Sequence, residues 1–160
     1  MEYTKDEKTA LWLDGLHIDY ARRAKLLALA PAPYALVRRF SAYAAAVRGV
    51  VGEETFSRME RSLSSPAFMR GLLTRYAEKG ITAVTYYSEG YPAQLKELPD
   101  PPLVLYCRGD LSLLQARMFC IVGSRHTPPA VRKLTEKWAG ELARHFAIVS
   151  GNAPGGDEAG

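Results

Sequence analysis

Three consecutive residues, Gly123, Ser124 and Arg125, combine the groups that bind an oxyanion. Glycine lets the backbone approach a ligand closely, serine offers a hydroxyl, and arginine offers a planar guanidinium that can bind two phosphate oxygens. Thr127 can cap a following helix, and Pro128 suits the first helical position, where a missing N–H has no cost. The turn therefore predicts a phosphate-binding site, to which the helix would add free N–H groups and the positive end of its dipole.

A strand–helix–strand unit is expected to position this turn. Residues 118–122 form a short apolar run that suits a buried strand, and residues 147–149 form a second one, closed by Ser150 and Gly151. The segment between them, 130–146, is predicted to be helical because large apolar residues recur along one side of it: Val131, Leu134, Trp138, Leu142 and Phe146. We expect this side of the helix, Trp138 included, to pack in the core.

Parallel pairing of the two strands, with a right-handed crossover, would place the turn at the carboxyl end of the first strand. Open α/β sheets bind their ligands at that edge. An alternative interpretation is that Arg125 is a solvated loop arginine, because a motif of three residues also occurs by chance.

Composition limits the class of protein. The chain has 160 residues, 48% hydrophobic and 24% charged, which excludes a disordered chain, and its net charge of +4 permits an anionic partner such as nucleic acid. No signal peptide or membrane-spanning segment is recognisable, so we expect a cytoplasmic protein with no membrane partner. Cys107 and Cys120 lie in predicted strands without metal-ligand spacing, so we expect buried reduced thiols and neither a metal nor another cofactor.

Two domains are predicted. Thr4 and Glu7 fit a capping box, Gly80 suits a left-handed C-cap, and helical patterns fill the sequence between them, which predicts a small all-helical domain over 1–79. From residue 80, strands near 81–87 and 103–107 alternate with helical segments, which predicts an α/β domain with a parallel sheet over 80–160. Such a sheet needs more strands than this sequence supplies, so we expect the front part of a longer protein. The alternative is a minimal domain whose last strand lies at an edge.

Several motifs in the second domain occur in a specific order. The sequence reads Tyr-Pro-x-x-Leu over 91–95, Leu-Pro-Asp-Pro-Pro-Leu-Val-Leu-Tyr-x-Arg-Gly over 98–109, Ile-Val-Gly-Ser-Arg over 121–125 and Val-Ser-Gly over 149–151. Together these motifs resemble those of the DNA-processing protein A (DprA, or Smf) family. The resemblance covers roughly residues 80–157, and the helical segment before it is similar in placement to the family's helical domain, which resembles a sterile-alpha-motif fold.

The resemblance implies a Rossmann-like core, incomplete in this chain, that binds and protects single-stranded DNA and loads the RecA recombinase during natural transformation. It implies no catalysis, and it implies a homodimer in the full-length form. The residues that match the family's phosphate pocket and the start of its second loop are Gly123, Ser124, Arg125, Thr127, Ser150 and Gly151. In that second loop Ala153, Gly155 and Asp157 match the family pattern, whereas Pro154 replaces a residue that is usually basic.

Two other functions compete with this one. Residues 154–156, Pro-Gly-Gly, resemble part of the Pro-Gly-Gly-x-Gly-Thr motif of the lysine-decarboxylase-like (LOG) nucleotide-processing enzymes, which have a related Rossmann core. However, Glu158 stands where that motif has glycine, and the segment follows the second strand too early in the fold. A dinucleotide-binding module is disfavoured because the turn after the first strand lacks the Gly-x-Gly-x-x-Gly pattern.

Overall fold

Helices occupy the chain as far as Glu78. The computed structural model describes residues 2–151, and its helices before the first strand are α1 (Lys5–Gly15), α2 (Tyr20–Ala28), α3 (Pro33–Arg38), α4 (Phe40–Val51), α5 (Glu53–Leu63) and α6 (Pro66–Glu78). The capping box of α1 is confirmed, since Thr4 Oγ1 accepts from the Glu7 N–H (3.2 Å) and the Glu7 carboxylate accepts from the Thr4 N–H (2.7 Å). Gly80 has a φ of +61°, the left-handed conformation predicted after α6.

An apolar core joins these helices. Its fully buried side chains come from five of them: Leu11 and Leu13 of α1, Leu26 of α2, Leu36 of α3, Val47 of α4 and Met59 of α5. Trp12 is buried beside them, and its indole Nε1–H donates to Ser62 Oγ at 2.7 Å. The core therefore buries a large aromatic ring without leaving its polar atom unpaired.

Two short strands follow and pair with each other. β1 (Thr82–Thr85) and β2 (Val104–Cys107) are antiparallel, with Thr82 opposite Cys107 and Thr85 opposite Val104. The short helix α7 (Ala93–Lys96) lies between them in sequence. Ala83, Leu103 and Val104 belong to the same apolar core as the helices, so this strand pair packs against the helical segment.

Polar contacts reinforce that packing. Ser88 Oγ donates to the Glu7 carboxylate at 2.5 Å, and the Tyr106 hydroxyl donates to the Asp14 carboxylate at 2.6 Å. The compact units of the structure are Met1–Gly109 and Asp110–Gly160, so β1 and β2 belong with α1–α6. We expected these strands to open the parallel sheet; within residues 2–151 they instead form a separate antiparallel pair. The division of the protein into domains at 79/80 stays a prediction.

The second unit contains the predicted strand–helix–strand arrangement. A short 3₁₀ helix (Leu111–Gln115) leads into β3 (Met118–Cys120), α8 (Pro129–Leu142) and β4 (Ala147–Val149). β3 and β4 are parallel, with Met118 opposite Ala147 and Cys120 opposite Val149. The predicted fold class, a helical segment followed by an α/β unit with parallel strands, is therefore confirmed.

Burial in the second unit differs from the expectation. β3 is exposed along its length, and Trp138 on α8 is 61% exposed rather than packed in a core. A parallel strand is buried when further strands and helices cover both of its faces, and residues 110–151 supply two strands and one long helix. The prediction of two buried thiols was wrong for Cys120, which is exposed, whereas Cys107 is half-buried and its burial raises the pKa of the thiol.

Among residues 2–151, no helix combines the length and the apolar composition that a membrane crossing needs.

Candidate functional site

The loop between β3 and α8 leaves the carboxyl end of the parallel strand pair. The Ile121 N–H donates to the Val149 carbonyl at 2.9 Å, which continues the pairing one residue beyond β3. Gly123 follows directly after this point, and Ser150 and Gly151 follow β4. Because the two strands are parallel, the predicted turn and the start of the second loop lie at the same edge of the sheet, where α/β proteins bind ligands.

Hydrogen bonds inside the loop fix its shape. Ser124 Oγ accepts from the His126 N–H at 3.2 Å, and the Thr127 hydroxyl donates to the Ser124 carbonyl at 2.6 Å. Ser124 can still donate its own hydroxyl proton to a ligand, since it acts here as an acceptor. Arg125 is therefore held on a loop that is tied together on both sides of it.

The start of α8 differs from the sequence prediction. Thr127 does not cap the helix, because its proton goes to the Ser124 carbonyl; Pro128 is the N-cap residue and Pro129 begins the helix. Prolines have no N–H, so the first turn of α8 presents only the N–H groups of Ala130 and Val131. The helix therefore offers an anion fewer N–H donors than the sequence predicts. Because of this, an anion bound at the loop would depend more on the Arg125 side chain.

Arg125 is exposed, and within residues 2–151 its guanidinium makes no hydrogen bond or ion pair. Its two neighbours, Ser124 and His126, line a concave surface with a cavity volume of about 230 Å³. Arg125 itself is not among the residues that line this cavity. An exposed guanidinium without a protein partner can bind phosphate oxygens through several N–H donors at once.

Three of the six predicted site residues line this cavity, and Arg125, Ser150 and Gly151 lie outside its lining. Gly123, Ser124 and Thr127 line the cavity together with residues from the first two turns of α8, including Val131 and Thr135. Thr135 was missed by the sequence analysis, although its position four residues after Val131 could have indicated it. Its hydroxyl donates to the Val131 carbonyl at 3.0 Å.

The atypical part of the second loop, including Ala153, Pro154, Gly155 and Asp157, lies outside the described residues. The same holds for the segment that resembles the LOG-type motif. Within residues 2–151, no cluster of three or more His, Cys, Asp or Glu side chains could hold a metal ion.

Comparison with known proteins gives a consistent result. The family described as DNA recombination-mediator protein A matches residues 82–160, a segment that contains the whole candidate site. The DNA processing protein DprA of Bacillus subtilis is 38% identical over 88 residues, which are 54% of this chain and 30% of that protein. Protein Smf of Borreliella burgdorferi is 34% identical over 71 residues, 44% of this chain and 23% of its own length.

Structural similarity extends over nearly the whole chain. The X-ray structure of DNA processing protein A from Streptococcus pneumoniae matches with a TM-score of 0.64 at 23% identity, covering 99% of this chain and 53% of that one. This match shows the fold, and the chain spans about half the length of the solved protein. The sequence matches to the curated relatives each span less than a third of the relative. On the match over residues 82–160, this segment of the chain belongs to the DNA-processing protein A (DprA/Smf) family.

Proposed function

We propose that this protein binds single-stranded DNA through its phosphates, as part of DNA processing during natural transformation. The observation that carries the proposal is Arg125: an exposed guanidinium with no partner within residues 2–151, on a loop fixed by its own hydrogen bonds. The relatives' names, DNA processing protein and DNA recombination-mediator protein A, support the same class of partner.

The chemistry of the loop suits the backbone of DNA rather than its bases. Its donors are a guanidinium, a serine hydroxyl and two helix N–H groups, all of which bind oxyanions. A cavity of about 230 Å³ has room for a phosphate and part of one nucleotide. Contacts of this kind position a strand without reading its sequence, so binding should be independent of sequence.

The proposed role is binding and protection of the strand, with no catalysed reaction. Ser124 is the nearest hydroxyl to Arg125 in sequence, and its oxygen accepts from the His126 backbone N–H. The resemblance to the DprA family adds two finer proposals, namely that the protein loads the RecA recombinase and that the full-length form is a homodimer. RecA assembly on protein-coated single strands and the mass of the protein in solution test these two.

The binding proposal is tested by salt and by strandedness. The protein is titrated against a labelled oligo-dT and against a duplex of equal length at several salt concentrations. We expect tighter binding to the single strand and a linear decrease of log K with log salt, with a slope of about −0.7 per phosphate contact. Equal affinity for the two forms, or an affinity that ignores salt, would refute the proposal.

A further inference from the structure

A second concave surface lies in the first unit, and its lining is rich in tyrosine. Tyr20, Arg23 and Leu27 lie on one side of α2, and Tyr86 and Tyr87 follow β1. The cavity volume is about 210 Å³. We call this concavity the tyrosine pocket. Tyr20 is 40% exposed and Tyr87 is 36% exposed, so these rings are not part of the apolar core.

The rings of the tyrosine pocket are held by other side chains. Tyr86 meets Tyr87 edge-to-face with ring centroids 5.4 Å apart, and it meets Tyr91 at 5.5 Å. Lys96 Nζ lies 5.1 Å from the centroid of the Tyr86 ring. A rigid aromatic surface binds a planar ligand with little loss of conformational freedom.

Arg23 of α2 adds a cation to the lining of the pocket. The Arg23 guanidinium lies 5.8 Å from the centroid of the Tyr20 ring, and the Tyr20 hydroxyl is fixed by donating to the Pro99 carbonyl at 2.5 Å. Arg23 Nη1 is 3.8 Å from the Asp14 carboxylate, a long ion pair. Asp6 is a second carboxylate near the pocket, since burial, Tyr86 and Asp6 together raise the pKa of the Tyr87 hydroxyl. The Arg23 side chain is 15% exposed and lines the pocket, so a ligand there meets the part of the guanidinium that faces the cavity.

Size and charge select the occupant. Pockets for drug-sized ligands have volumes of roughly 300–1,000 Å³, so a cavity of about 210 Å³ takes one ring system and not an extended peptide. Aromatic faces next to arginine and lysine are the surface on which single-stranded nucleic acid stacks its bases while its phosphates meet the cations. A planar base with a phosphate attached matches both features.

We propose that the tyrosine pocket binds one base of a single DNA strand, with Arg23 contacting the adjacent phosphate. This inference rests on the proposed function, because it takes single-stranded DNA as the ligand of the protein. It adds to that function a second contact, made by the first unit through stacking, which is independent of the phosphate contact at Arg125.

The test separates bases from phosphates. Affinity is measured for oligo-dT and for an abasic strand of the same length, with wild type, Tyr87→Ala, Tyr87→Phe and Arg23→Gln. Loss of one stacking ring should weaken oligo-dT binding by roughly tenfold and leave the abasic strand unaffected. Tyr87→Phe keeps the ring and should behave as wild type, whereas Arg23→Gln should weaken binding to both strands. Tyr34→Ala is the matched control, since Tyr34 is a partly exposed tyrosine of the same unit that lines a different concavity.

Photo-crosslinking locates the base directly. Oligo-dT that carries 5-iodouracil is irradiated with the protein, and the modified peptides are identified by mass spectrometry. Crosslinks on Tyr20, Tyr86 or Tyr87 would support the inference even if Tyr87→Ala fails to fold. Crosslinks confined to residues 110–151, with equal affinities of folded Tyr87→Ala and wild type for oligo-dT, would overturn it and leave the proposed function intact.

A third measurement covers failure of the proposed function itself. If no oligonucleotide binds, dTMP is titrated while the tyrosine ring signals are followed by NMR. If only the NMR signals of the tyrosine pocket shifted, the pocket would bind a free nucleotide and the proposal of a DNA strand as its ligand would be wrong. Unshifted signals would overturn the pocket as a nucleotide site altogether.

Discussion

The two units of this chain differ in how they cover their apolar residues. In the first unit, side chains such as Leu11, Leu26 and Leu36 are completely buried among neighbouring helices. In the second unit, Ala139 is the one buried apolar residue of 110–151, while Val122 is 76% exposed and Trp138 is 61% exposed. The first unit is therefore held by a core of its own, whereas the second holds its loop in place by strand pairing and local hydrogen bonds.

The largest test of this comparison is truncation of an apolar side chain in each unit. Leu11→Ala should lower the free energy of unfolding by about 2–5 kcal/mol, because the cavity it leaves is surrounded by fully buried neighbours. Trp138→Ala should change it by only about 0.5 kcal/mol, as for other exposed positions. Urea unfolding followed by circular dichroism measures both. If both variants lost the same free energy of unfolding, Trp138 would have to be packed in a core of the second unit despite its exposed ring.

The next test asks whether a change at Arg125, in the second unit, weakens DNA binding without lowering the stability of the protein. Arg125→Ala removes a charge-assisted contact and should weaken binding to oligo-dT by about 1.5–3 kcal/mol, or roughly ten- to a hundredfold. Arg125→Lys should restore part of the loss, since an ammonium cannot reproduce the planar fork. Neither change should alter the melting temperature, because Arg125 has no partner within residues 2–151.

Arg144→Ala provides the control for that series. Arg144 is another exposed arginine of the second unit, paired with Glu141 at 3.5 Å near the opposite end of α8. We expect wild-type affinity for this variant. If Arg125→Ala binds oligo-dT with unchanged affinity, the loop is not the DNA-binding site. If its melting temperature falls strongly, Arg125 stabilises the fold instead of binding DNA.

A pH titration tests whether β1 and β2 belong energetically to the first unit. Burial acts to raise the pKa of Glu7, but the hydrogen bonds from Ser88 and from the Thr4 backbone and side chain outweigh it and lower the pKa below its ordinary value of 4.5. The stabilisation is thus fully present above pH 4.5 and lost as the pH falls through the lower folded-state pKa. Glu7→Gln should flatten that part of the stability profile.

Ser88→Ala is the matched variant for this titration. It removes the donor that joins the turn after β1 to α1, and each single change should cost about 1.5 kcal/mol at neutral pH. The double variant should cost less than the sum of the two, since both remove the same contact. Strict additivity would mean that the hydrogen bond does not couple the strand pair to the helices.

The smallest expected effects concern two left-handed residues of the first unit. His17 has a φ of +51° after α1, and Gly80 has a φ of +61° after α6. His17→Gly should raise the free energy of unfolding by about 0.5 kcal/mol, and Gly80→Ala should lower it by about 1 kcal/mol, because only glycine adopts this conformation without strain. Thermal unfolding of the two variants checks the opposite signs; shifts in the same direction would exclude backbone strain as the cause.

The structure confirms the predictions that depend on neighbouring residues. Thr4 and Glu7 form the predicted capping box, Gly80 is left-handed, and the loop of Gly123, Ser124 and Arg125 does follow a strand that pairs in parallel with the next one. Each of these features depends on residues within about one turn of helix or on a simple alternation of elements. In each case the residues that form the sequence pattern are also the residues that stabilise the feature.

Features that depend on distant residues were not predicted. Ser88 meets Glu7 across 81 positions, and no local pattern indicates that contact. The exposure of Trp138 depends on what packs against α8, whereas the spacing of its apolar residues only shows which side the helix could bury. The sequence allows Thr127 either to cap α8 or to bond within the loop. In the structure its hydroxyl donates to the Ser124 carbonyl, and α8 begins at the second proline, Pro129, one residue later than predicted.

The placement of Trp12 and Trp138 has a practical consequence for spectroscopy. They are the two tryptophans of the chain, one in each unit, and their exposed fractions are 3% and 61%. Emission from the indole of Trp12 should be blue-shifted and shielded from iodide, while that of Trp138 should be red-shifted and readily quenched. Replacing either one with phenylalanine leaves a protein with a single tryptophan, whose emission can be excited apart from that of the nine tyrosines. Folding of the helical unit and any covering of α8 can then be followed in separate optical experiments without an attached dye.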